Sequence, residues 1–280
     1  GYFYHVMNIR ENDRVALYMQ NSPQFVIAYY SVLAANAVIV PVNPMYKNVE
    51  LEHILKDSNA KALIFGDELV NEVINSNVNI EARCLLAVSY SEYIGQNSGV
   101  DIPDIILSER DTSSYNTWLK AMEMKCVAPI HDRIPNDWCI IPYSSGTTGK
   151  PKGCLHTHSS VNATANAYPT WVGVNNGSQI LATLPLYHVT GMQHSMNLPI
   201  VTGSTIHLMI RWNPKTAATL IEKEKVQHWR SITTTMIDFL SLKNIESYDL
   251  SSLEAIGGGG AQMPLSVAER MENLLGLNYI

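Results

Sequence analysis

The order of apolar and helix-capping segments near the start of the chain constrains the fold more than any other feature. Residues 13–19 form a short apolar run that predicts a buried strand. Ser22 followed by Pro23 is typical of a helix N-terminus, and the helix is predicted to reach about Ala35. The β-branched segment 38–42 predicts a second strand. A strand, a helix and a strand within about 30 residues form a βαβ unit, so these strands are predicted to be parallel.

The same alternation continues and predicts an α/β fold with two stacked subdomains, each a mainly parallel sheet flanked by helices. We place the first subdomain at 1–175 and the second at 176–280, and leave open whether residues 1–20 pack on the second. Further helices are predicted at 49–57, 67–75, 115–124, 192–201, 214–225, 235–242 and 264–275. One more helix, capped by Thr157 or Ser159, is predicted to reach about Tyr168. Further strands are predicted at 61–65, 83–88, 179–184, 205–210, 226–232 and 253–257.

Residues 143–153 combine glycine, hydroxyl and lysine side chains at high density. They follow the apolar run 138–142 and read Tyr-Ser-Ser-Gly-Thr-Thr-Gly-Lys-Pro-Lys-Gly. Glycines let backbone N–H groups form a concave anion site, hydroxyls add hydrogen bonds, and lysines add charge that suits phosphate. Ligands of open parallel sheets lie beyond the carboxyl ends of the strands, where this segment falls. We therefore predict a polyphosphate site here, in preference to a flexible surface turn.

This segment is not a Walker A loop. That motif requires a glycine, four residues and then Gly-Lys-Ser or Gly-Lys-Thr. Counting from Gly146, Pro151 stands where the second glycine should be. Pro151 also disfavours helical geometry at Lys150, so no helix is expected to begin directly on the loop.

Residues 144–153 resemble the signature loop of the adenylate-forming superfamily, which includes acyl-CoA synthetases, luciferases and the adenylation domains of peptide synthetases. In that superfamily the loop holds the β- and γ-phosphates of ATP while a carboxylate attacks the α-phosphate. The resemblance implies that ATP is bound by Ser144, Ser145, Gly146, Thr147, Thr148, Gly149, Lys150 and Lys152. It also implies catalytic roles for Thr148, which would hold the phosphates, and for Lys152, which would offset charge on the leaving pyrophosphate.

A histidine near a strand end marks a second candidate site. His188 lies in Pro-Leu-Tyr-His-Val-Thr-Gly after the strand predicted at 179–184, where ligand contact is expected. From the residues alone, His188 is either a ligand for a carboxylate or a structural histidine. The superfamily carries an aromatic residue or histidine at this place, which implies that His188 acts in catalysis by orienting the carboxylate, or gates the acyl tunnel. The implied acyl pocket also contains Thr190, Gly191, Met192, Gln193 and Met196.

Those methionines at helical spacing are equally good core residues. Four glycines, 257–260, then follow the strand predicted at 253–257. A plain turn needs one or two glycines, whereas four let a flat ring lie against bare backbone. The superfamily's Gly-Gly-Ala segment matches Gly259, Gly260 and Ala261, which implies that these residues pack on adenine. Gly258 is expected to line the acyl pocket.

Composition and charge argue against several classes of protein. A formal net charge of −6 argues against a general nucleic-acid binder. No apolar run approaches the ~18 residues of a membrane span. The four cysteines contain no Cys-x-x-Cys, which indicates reduced thiols, core positions for all four and a cytoplasmic location. His156 and His158 have no third ligand nearby, so no metal site is predicted from protein side chains.

The resemblance implies an ATP-dependent acid–thiol ligase with ATP, Mg²⁺ and coenzyme A as cofactors. It would convert a carboxylic acid, fatty or aryl, to acyl-AMP with release of pyrophosphate, and then form acyl-CoA. The resemblance covers essentially all 280 residues and corresponds to the superfamily's N-terminal region. We therefore expect a piece of a longer enzyme that lacks the mobile C-terminal domain and is inactive alone.

Two alternatives stay open at this point. The chain could be a non-catalytic ATP- or AMP-binding module, or an adenylation domain that acts without coenzyme A. A peptide-synthetase domain would carry an aspartate early in the pocket, but none is found there, and Asp238, the nearest candidate, lies too far along. Acyl chain length and a homodimer are also left open.

Overall fold

A computed structural model describes residues 1–77, 79–95, 99–108, 110–144, 149–259 and 261–278. The chain divides into two compact units, residues 1–98 with 102–162 and residues 99–101 with 163–280. This division falls inside the helix His158–Val172, and the boundary expected after residue 175 stays a prediction. Each unit is built on its own sheet with helices connecting the strands, which confirms the predicted α/β class.

The first unit contains a seven-stranded sheet of order β5-β4-β3-β1-β2-β6-β9, parallel except for the edge strand β9. Its strands are β1 Arg14–Tyr18, β2 Val38–Val42, β3 Ala60–Gly66, β4 Leu85–Val88, β5 Asn116–Thr117, β6 Trp138–Ile140, β7 Tyr143–Ser144, β8 Lys152–Gly153 and β9 His156–Thr157. Its helices are α1 Tyr2–His5, α2 Pro23–Ala34, α3 Asn48–Asp57, α4 Val70–Ile74, α5 Asp104–Leu107 and α6 Trp118–Glu123, and α7 His158–Val172 leads into the second unit. β7 and β8 form a separate hairpin.

Local signals explain why the first βαβ unit forms as predicted. The Ser22 hydroxyl accepts a hydrogen bond from the backbone N–H of Phe25 at 3.1 Å, and Pro23 occupies the first helical position of α2. After the helix, Asn36 adopts a left-handed conformation with φ of 60°, which turns the chain toward β2. β1 and β2 then pair in parallel, with Arg14 opposite Val38.

The second unit contains a four-stranded parallel sheet of order β11-β10-β12-β13. Its strands are β10 Gln179–Ala182, β11 Thr205–Leu208, β12 His228–Ser231 and β13 Ala255–Gly258. Its helices are α8 Val189–Met192, a π-helical turn Gln193–Asn197, α9 Leu198–Thr202, α10 Pro214–Glu224, α11 Thr233–Leu240 and α12 Leu265–Leu275. β10, β12 and β13 therefore end at one edge, which we call the carboxyl edge of the second sheet.

Side chains of β12 alternate between the two faces of this sheet. Trp229 lies on one face, where its ring packs edge-on against Phe239 of α11 and stacks on Trp212. His228 and Arg230 are on the other face, together with Ile180 of β10. The first face is an apolar core with α10 and α11, whereas the second face carries two polar side chains.

Two helix predictions are corrected by the structure. The helix predicted at 115–124 begins at Trp118, because residues 116–117 form strand β5 and pair with β4 at the sheet edge. The helix predicted at 192–201 begins at Val189 and contains the π-helical turn before Pro199. Proline has no N–H to continue the ordinary hydrogen-bond ladder, which accounts for the irregular turn. Among the described residues, no helix is both long and apolar enough to traverse a bilayer.

The cysteines correct a third prediction. Cys84 and Cys139 are buried as expected, but Cys126 is half-buried and Cys154 is exposed. Cys154 directly follows the hairpin strand β8, which lies outside the seven-stranded sheet and offers no core to pack into. All four are free thiols.

Candidate active site

The described residues of the predicted phosphate-binding segment include two paired strands in the first unit, which we call the hairpin. β7 and β8 pair antiparallel, with Ser144 opposite Lys152. The chain is extended after Pro151, which confirms that no helix begins on the loop. Four of the predicted ATP ligands are exposed: Ser144, Gly149, Lys150 and Lys152. The other four lie outside the described residues: Ser145, Gly146, Thr147 and Thr148.

Helix α3 anchors both strands of this hairpin. The Tyr143 hydroxyl donates a hydrogen bond to the Asp57 carboxylate at 2.6 Å, and burial together with Asp57 raises the pKa of Tyr143. His53 Nε2 donates to the Pro151 carbonyl at 2.9 Å. Gly153 is required by close packing, because a Cβ atom there would lie 2.7 Å from the Ile141 side chain. Helix α3 thus contacts the hairpin at Tyr143 and at Pro151, while the side chains of Lys150 and Lys152 are exposed.

A groove of about 550 Å³ lies between α3 and the hairpin. Lys150 borders it, but the carboxylates of Glu50 and Asp57 share the wall. Lys56 is paired with Glu52 on the same helix. Because this mixture of charges does not favour a polyanion, we do not assign the phosphates to the groove.

His188 lies beyond the carboxyl end of β10 in the second unit. Its side chain is exposed, and its Nδ1 accepts a hydrogen bond from the backbone N–H of Thr190 at 3.3 Å, which caps α8. In the neutral ring, the proton must therefore be on Nε2. His188 thus serves as a helix cap and retains an N–H that can donate to a ligand.

The other residues of the predicted acyl pocket are largely packed into the unit. A Cβ atom on Gly191 would lie 2.1 Å from the Pro185 carbonyl oxygen, so the chain needs glycine there for packing. Met192 and Met196 are fully buried. Gln193 is buried and its Oε1 accepts a hydrogen bond from Asn197 Nδ2 at 3.1 Å. Their assignment to a pocket stays a prediction.

The glycine run lies at the carboxyl edge of the second sheet. Gly257 and Gly258 belong to β13 and pair with Arg230 and Ser231 of β12, so the strand extends one residue beyond the prediction. Gly259 is exposed, and a Cβ atom there would meet nothing within 4 Å. Ala261 is exposed, and Gly260 lies outside the described residues.

A small cavity of about 20 Å³ lies against the face of the second sheet that carries His228. We call it the His228 cavity. It is lined by Tyr168, Val172, Val174, Ile180, His194, Leu198, His228, Trp229, Arg230, Ala255 and Gly257. Its helical wall therefore uses His194 and Leu198 rather than the neighbouring methionines.

Comparison with known proteins decides the family. Residues 4–280 match the AMP-binding enzyme family. The chain belongs to that family. A long-chain-fatty-acid–CoA ligase of Bacillus subtilis is 28% identical over 280 residues, which cover 96% of this chain and 50% of the relative. A ligase of the same name from Haemophilus influenzae is 30% identical over a match that covers 100% of this chain and 52% of the relative.

A solved structure of the anthranilate CoA ligase AuaEII with anthranoyl-AMP has the same fold as this AMP-binding enzyme. The TM-score is 0.82 at 21% identity, and the match covers 98% of this chain and 50% of that one. The chain spans about half the length of the curated relatives it matches.

Sequence reasoning about this AMP-binding enzyme missed the polar residues of the His228 cavity: Tyr168, His194, His228 and Arg230. One signal was available, because His228 and Arg230 alternate in a strand that is otherwise buried. Two polar residues at that spacing place polar groups on one face of a sheet. Tyr168 and His194 carried no such signal, since only the packing of the helices brings them to that face.

Proposed function

We propose that the protein containing this chain activates a carboxylic acid with ATP as acyl-AMP, releases pyrophosphate, and transfers the acyl group to coenzyme A. The match of residues 4–280 to AMP-binding enzymes carries this proposal. The relatives named above are CoA ligases, in keeping with a thioester product. Their names include fatty acids and the similar structure is of an aryl-acid ligase, so both acid classes fit.

In the first unit, the hairpin would hold the β- and γ-phosphates. Lys150 and Lys152 are exposed and carry positive charge, so they can offset the charge that develops on the leaving pyrophosphate. The backbone N–H of Gly149 and the Ser144 hydroxyl can add hydrogen bonds. The same role is proposed for Ser145, Gly146, Thr147 and Thr148.

In the second unit, His188 would orient the acid. Its Nε2–H can donate a hydrogen bond to one carboxylate oxygen, leaving the other oxygen to attack the α-phosphate. Gly258, Gly259, Gly260 and Ala261 would form the backbone surface against which adenine packs, with Gly258 also facing the acyl group. The openness above Gly259 is consistent with a flat ring lying there.

Mg²⁺, when bound with ATP, would neutralise charge on the phosphate groups. Among the described residues, no group of three or more His, Cys, Asp or Glu side chains is arranged to hold a metal ion. The described residues therefore do not form a protein cage for Mg²⁺, and we derive no step through it.

Cytoplasmic location is proposed from the four free thiols, which persist in a reducing compartment. The net charge of −6 supports small-molecule substrates over nucleic acid as partners. A homodimer stays a prediction without a structural argument.

The amino-acid-activating alternative is disfavoured by the surroundings of Asp238. Its carboxylate accepts a hydrogen bond from Trp212 Nε1 at 2.6 Å, and Trp212 packs on the apolar face of the second sheet. A carboxylate held there does not face the His228 side of the sheet, where a substrate amine would need it. We therefore favour a fatty or aryl acid.

The test is an acid panel in a pyrophosphate-release assay on the full-length protein, with and without coenzyme A. Acid-dependent release followed by thioester formation is the expected result. Acyl-AMP that accumulates and is never transferred to coenzyme A would favour the CoA-independent alternative. ATP binding with no acid-dependent release would favour a non-catalytic nucleotide-binding module.

A further inference from the structure

The His228 cavity is lined by four polar side chains, which an alkyl chain would not need for binding. Arg230 projects from β12, and its guanidinium carbon lies 4.2 Å from the centre of the Tyr168 ring. The Tyr168 ring in turn packs edge-on against His194 at 4.2 Å between ring centres. His228 lies two residues before Arg230 on the same face. The space is about as large as one water molecule. It is therefore surrounded by one phenol ring, one guanidinium group and two imidazole rings, those of Tyr168, Arg230, His194 and His228.

Two of these side chains have buried polar atoms without a hydrogen-bond partner among the described residues. His228 is 6% exposed, and both its ring nitrogens are buried and unpaired. The nearest carboxylate, Glu254, lies 3.9 Å from His228 Nε2, beyond hydrogen-bond distance. The Tyr168 hydroxyl is likewise buried and unpaired. Because an unmade buried hydrogen bond is destabilising, these atoms indicate that the cavity receives a polar ligand group.

The charges of the wall define that group. None of the described residues that line the cavity is a carboxylate, and Arg230 is permanently cationic. Burial lowers the pKa of both His194 and His228, so each ring is neutral near pH 7 and has one N–H donor. With the Tyr168 hydroxyl, the wall supplies several donors and a positive charge. An oxygen that accepts hydrogen bonds is the complementary ligand.

The cavity also lies at a suitable depth below the carboxyl edge. Gly257 forms part of its lining and precedes Gly258 and Gly259, where the proposed function locates the adenylate end of the substrate. His228 is three residues before the end of β12, which corresponds to roughly 10 Å along a strand. A substrate bound at the edge and extending along this face would bring its far end to His228.

We propose that the His228 cavity binds the far end of the acid's acyl group, and that this end carries a hydroxyl, whose hydrogen-bond-accepting oxygen fits a space of about one water molecule. This inference rests on the proposed ligase function. It assigns a substrate class that differs from the plain long-chain fatty acids in the names of the curated relatives.

The test measures kcat/KM for pyrophosphate release by the full-length protein with matched acids. Each set of three acids shares one alkyl or aryl scaffold and ends in methyl, hydroxyl or carboxylate, and a long-chain fatty acid completes the panel. One oxygen-ended acid should be preferred over its methyl-ended partner by about tenfold or more, since the latter leaves the cavity donors unpaired. The hydroxyl-ended acid should be the preferred one, and a preference for the carboxylate-ended acid would overturn the assignment of a single-oxygen group to this space.

Two substitutions assign that preference to the cavity. Tyr168→Phe removes only the hydroxyl and retains the ring, so it should reduce the preference several-fold. His228→Leu should reduce it further or reverse it. The matched control is Tyr248→Phe, which removes the same atom beside the apolar core of the same unit and should leave the preference unchanged.

Failure of the inference is distinguishable from failure of the proposed function. If the wild-type protein prefers methyl-ended or long-chain acids, or if Tyr168→Phe leaves the preference intact, the polar-end assignment is wrong and the ligase function stands. If no acid supports pyrophosphate release, the ligase function itself is wrong and the inference is overturned with it.

Discussion

The two units present their predicted ligand residues in different ways. In the first unit, Lys150 and Lys152 project from a hairpin that lies outside the seven-stranded sheet and is anchored by α3. In the second unit, His188 caps a helix, Gly191 packs against the backbone, and Met192 is fully buried. The lysines of the first set are exposed and are not part of the core, whereas the second set helps to hold its unit together.

This difference predicts how mutations divide between activity and stability. A change at the end of the hairpin should lower activity while the fold persists. A change around the helix that follows β10 should disturb folding first, so lost activity there is weak evidence for a catalytic role. The following experiments test this comparison, beginning with the largest expected effect.

Lys152→Ala should lower the rate of acid-dependent pyrophosphate release by about 100-fold or more, because one charge on the leaving pyrophosphate is then uncompensated. Lys152 is exposed, so the free energy of unfolding should change by no more than about 0.5 kcal/mol. The control is Lys120→Ala, an exposed lysine on α6, which should alter neither quantity. A rate that stays at the wild-type value would remove Lys152 from the proposed mechanism.

Gly191→Ala should destabilise the second unit by about 1–3 kcal/mol or more, because the new Cβ would lie 2.1 Å from the Pro185 carbonyl oxygen. Gly259→Ala is its counterpart, since a Cβ atom there meets nothing within 4 Å. That variant should keep its stability and lose nucleotide affinity. Urea unfolding and ATP titration of both variants measure the contrast. Equal losses of stability would contradict the division between packing and binding glycines.

The sequence was most informative where a local signal decides local structure. Ser22 and Pro23 predicted the start of α2, and the β-branched segment 38–42 predicted β2, because capping and strand propensity act over a few residues. Pro151 likewise predicted that no helix begins on the loop. The family could be predicted because the loop 144–153 is itself continuous in sequence.

Tertiary contacts explain what the sequence did not reveal. The sequence around Asn116 predicts a helix, but Asn116 pairs with Leu86 at the sheet edge and forms a strand. Gly191 resembles a pocket residue, and its close approach to Pro185 depends on how α8 packs back on the chain. The His228 cavity joins residues from α7, the π-helical turn, α9 and three strands, and no pattern along the chain links Tyr168 to His194.

Acidification should change the stability of the two units differently. Burial lowers the pKa of histidines in the second unit, whereas it raises the pKa of carboxyl groups in the first unit. In the second unit, burial lowers the pKa of His194, His207 and His228 below the usual 6.5. Their unfolded forms take up protons first, so stability is lost as the pH falls below about 6.5. In the first unit, burial raises the pKa of Asp67 and Glu92, whose folded forms bind protons more readily, so acidification favours folding.

Amide hydrogen exchange at pH about 7 and about 5.5 measures this difference once intrinsic exchange rates are corrected. Protection should fall further in β12 than in β1. His158 in the first unit opposes the contrast, because burial and the neighbouring His131 lower its pKa too. His158→Gln should therefore widen the gap between the units. Equal losses of protection in both strands would show that the histidines do not control the acid response.

The smallest expected effect compares one helix cap in each unit. The Ser22 hydroxyl accepts from the Phe25 N–H at 3.1 Å, and the Asn213 side chain accepts from the Thr216 N–H at 2.9 Å. Replacing a cap by alanine costs about 0.5–2 kcal/mol. Ser22 is buried, so water cannot replace its hydroxyl, whereas Asn213 is exposed and water can solvate the freed N–H.

Ser22→Ala should therefore fall near the upper end of that range and Asn213→Ala near the lower end, measured by urea unfolding of the two variants in parallel. Neither cap belongs to a predicted ligand set, so pyrophosphate release at a temperature where both variants are folded should stay at the wild-type rate. The reverse order of stabilities would mean that burial does not govern the strength of these caps.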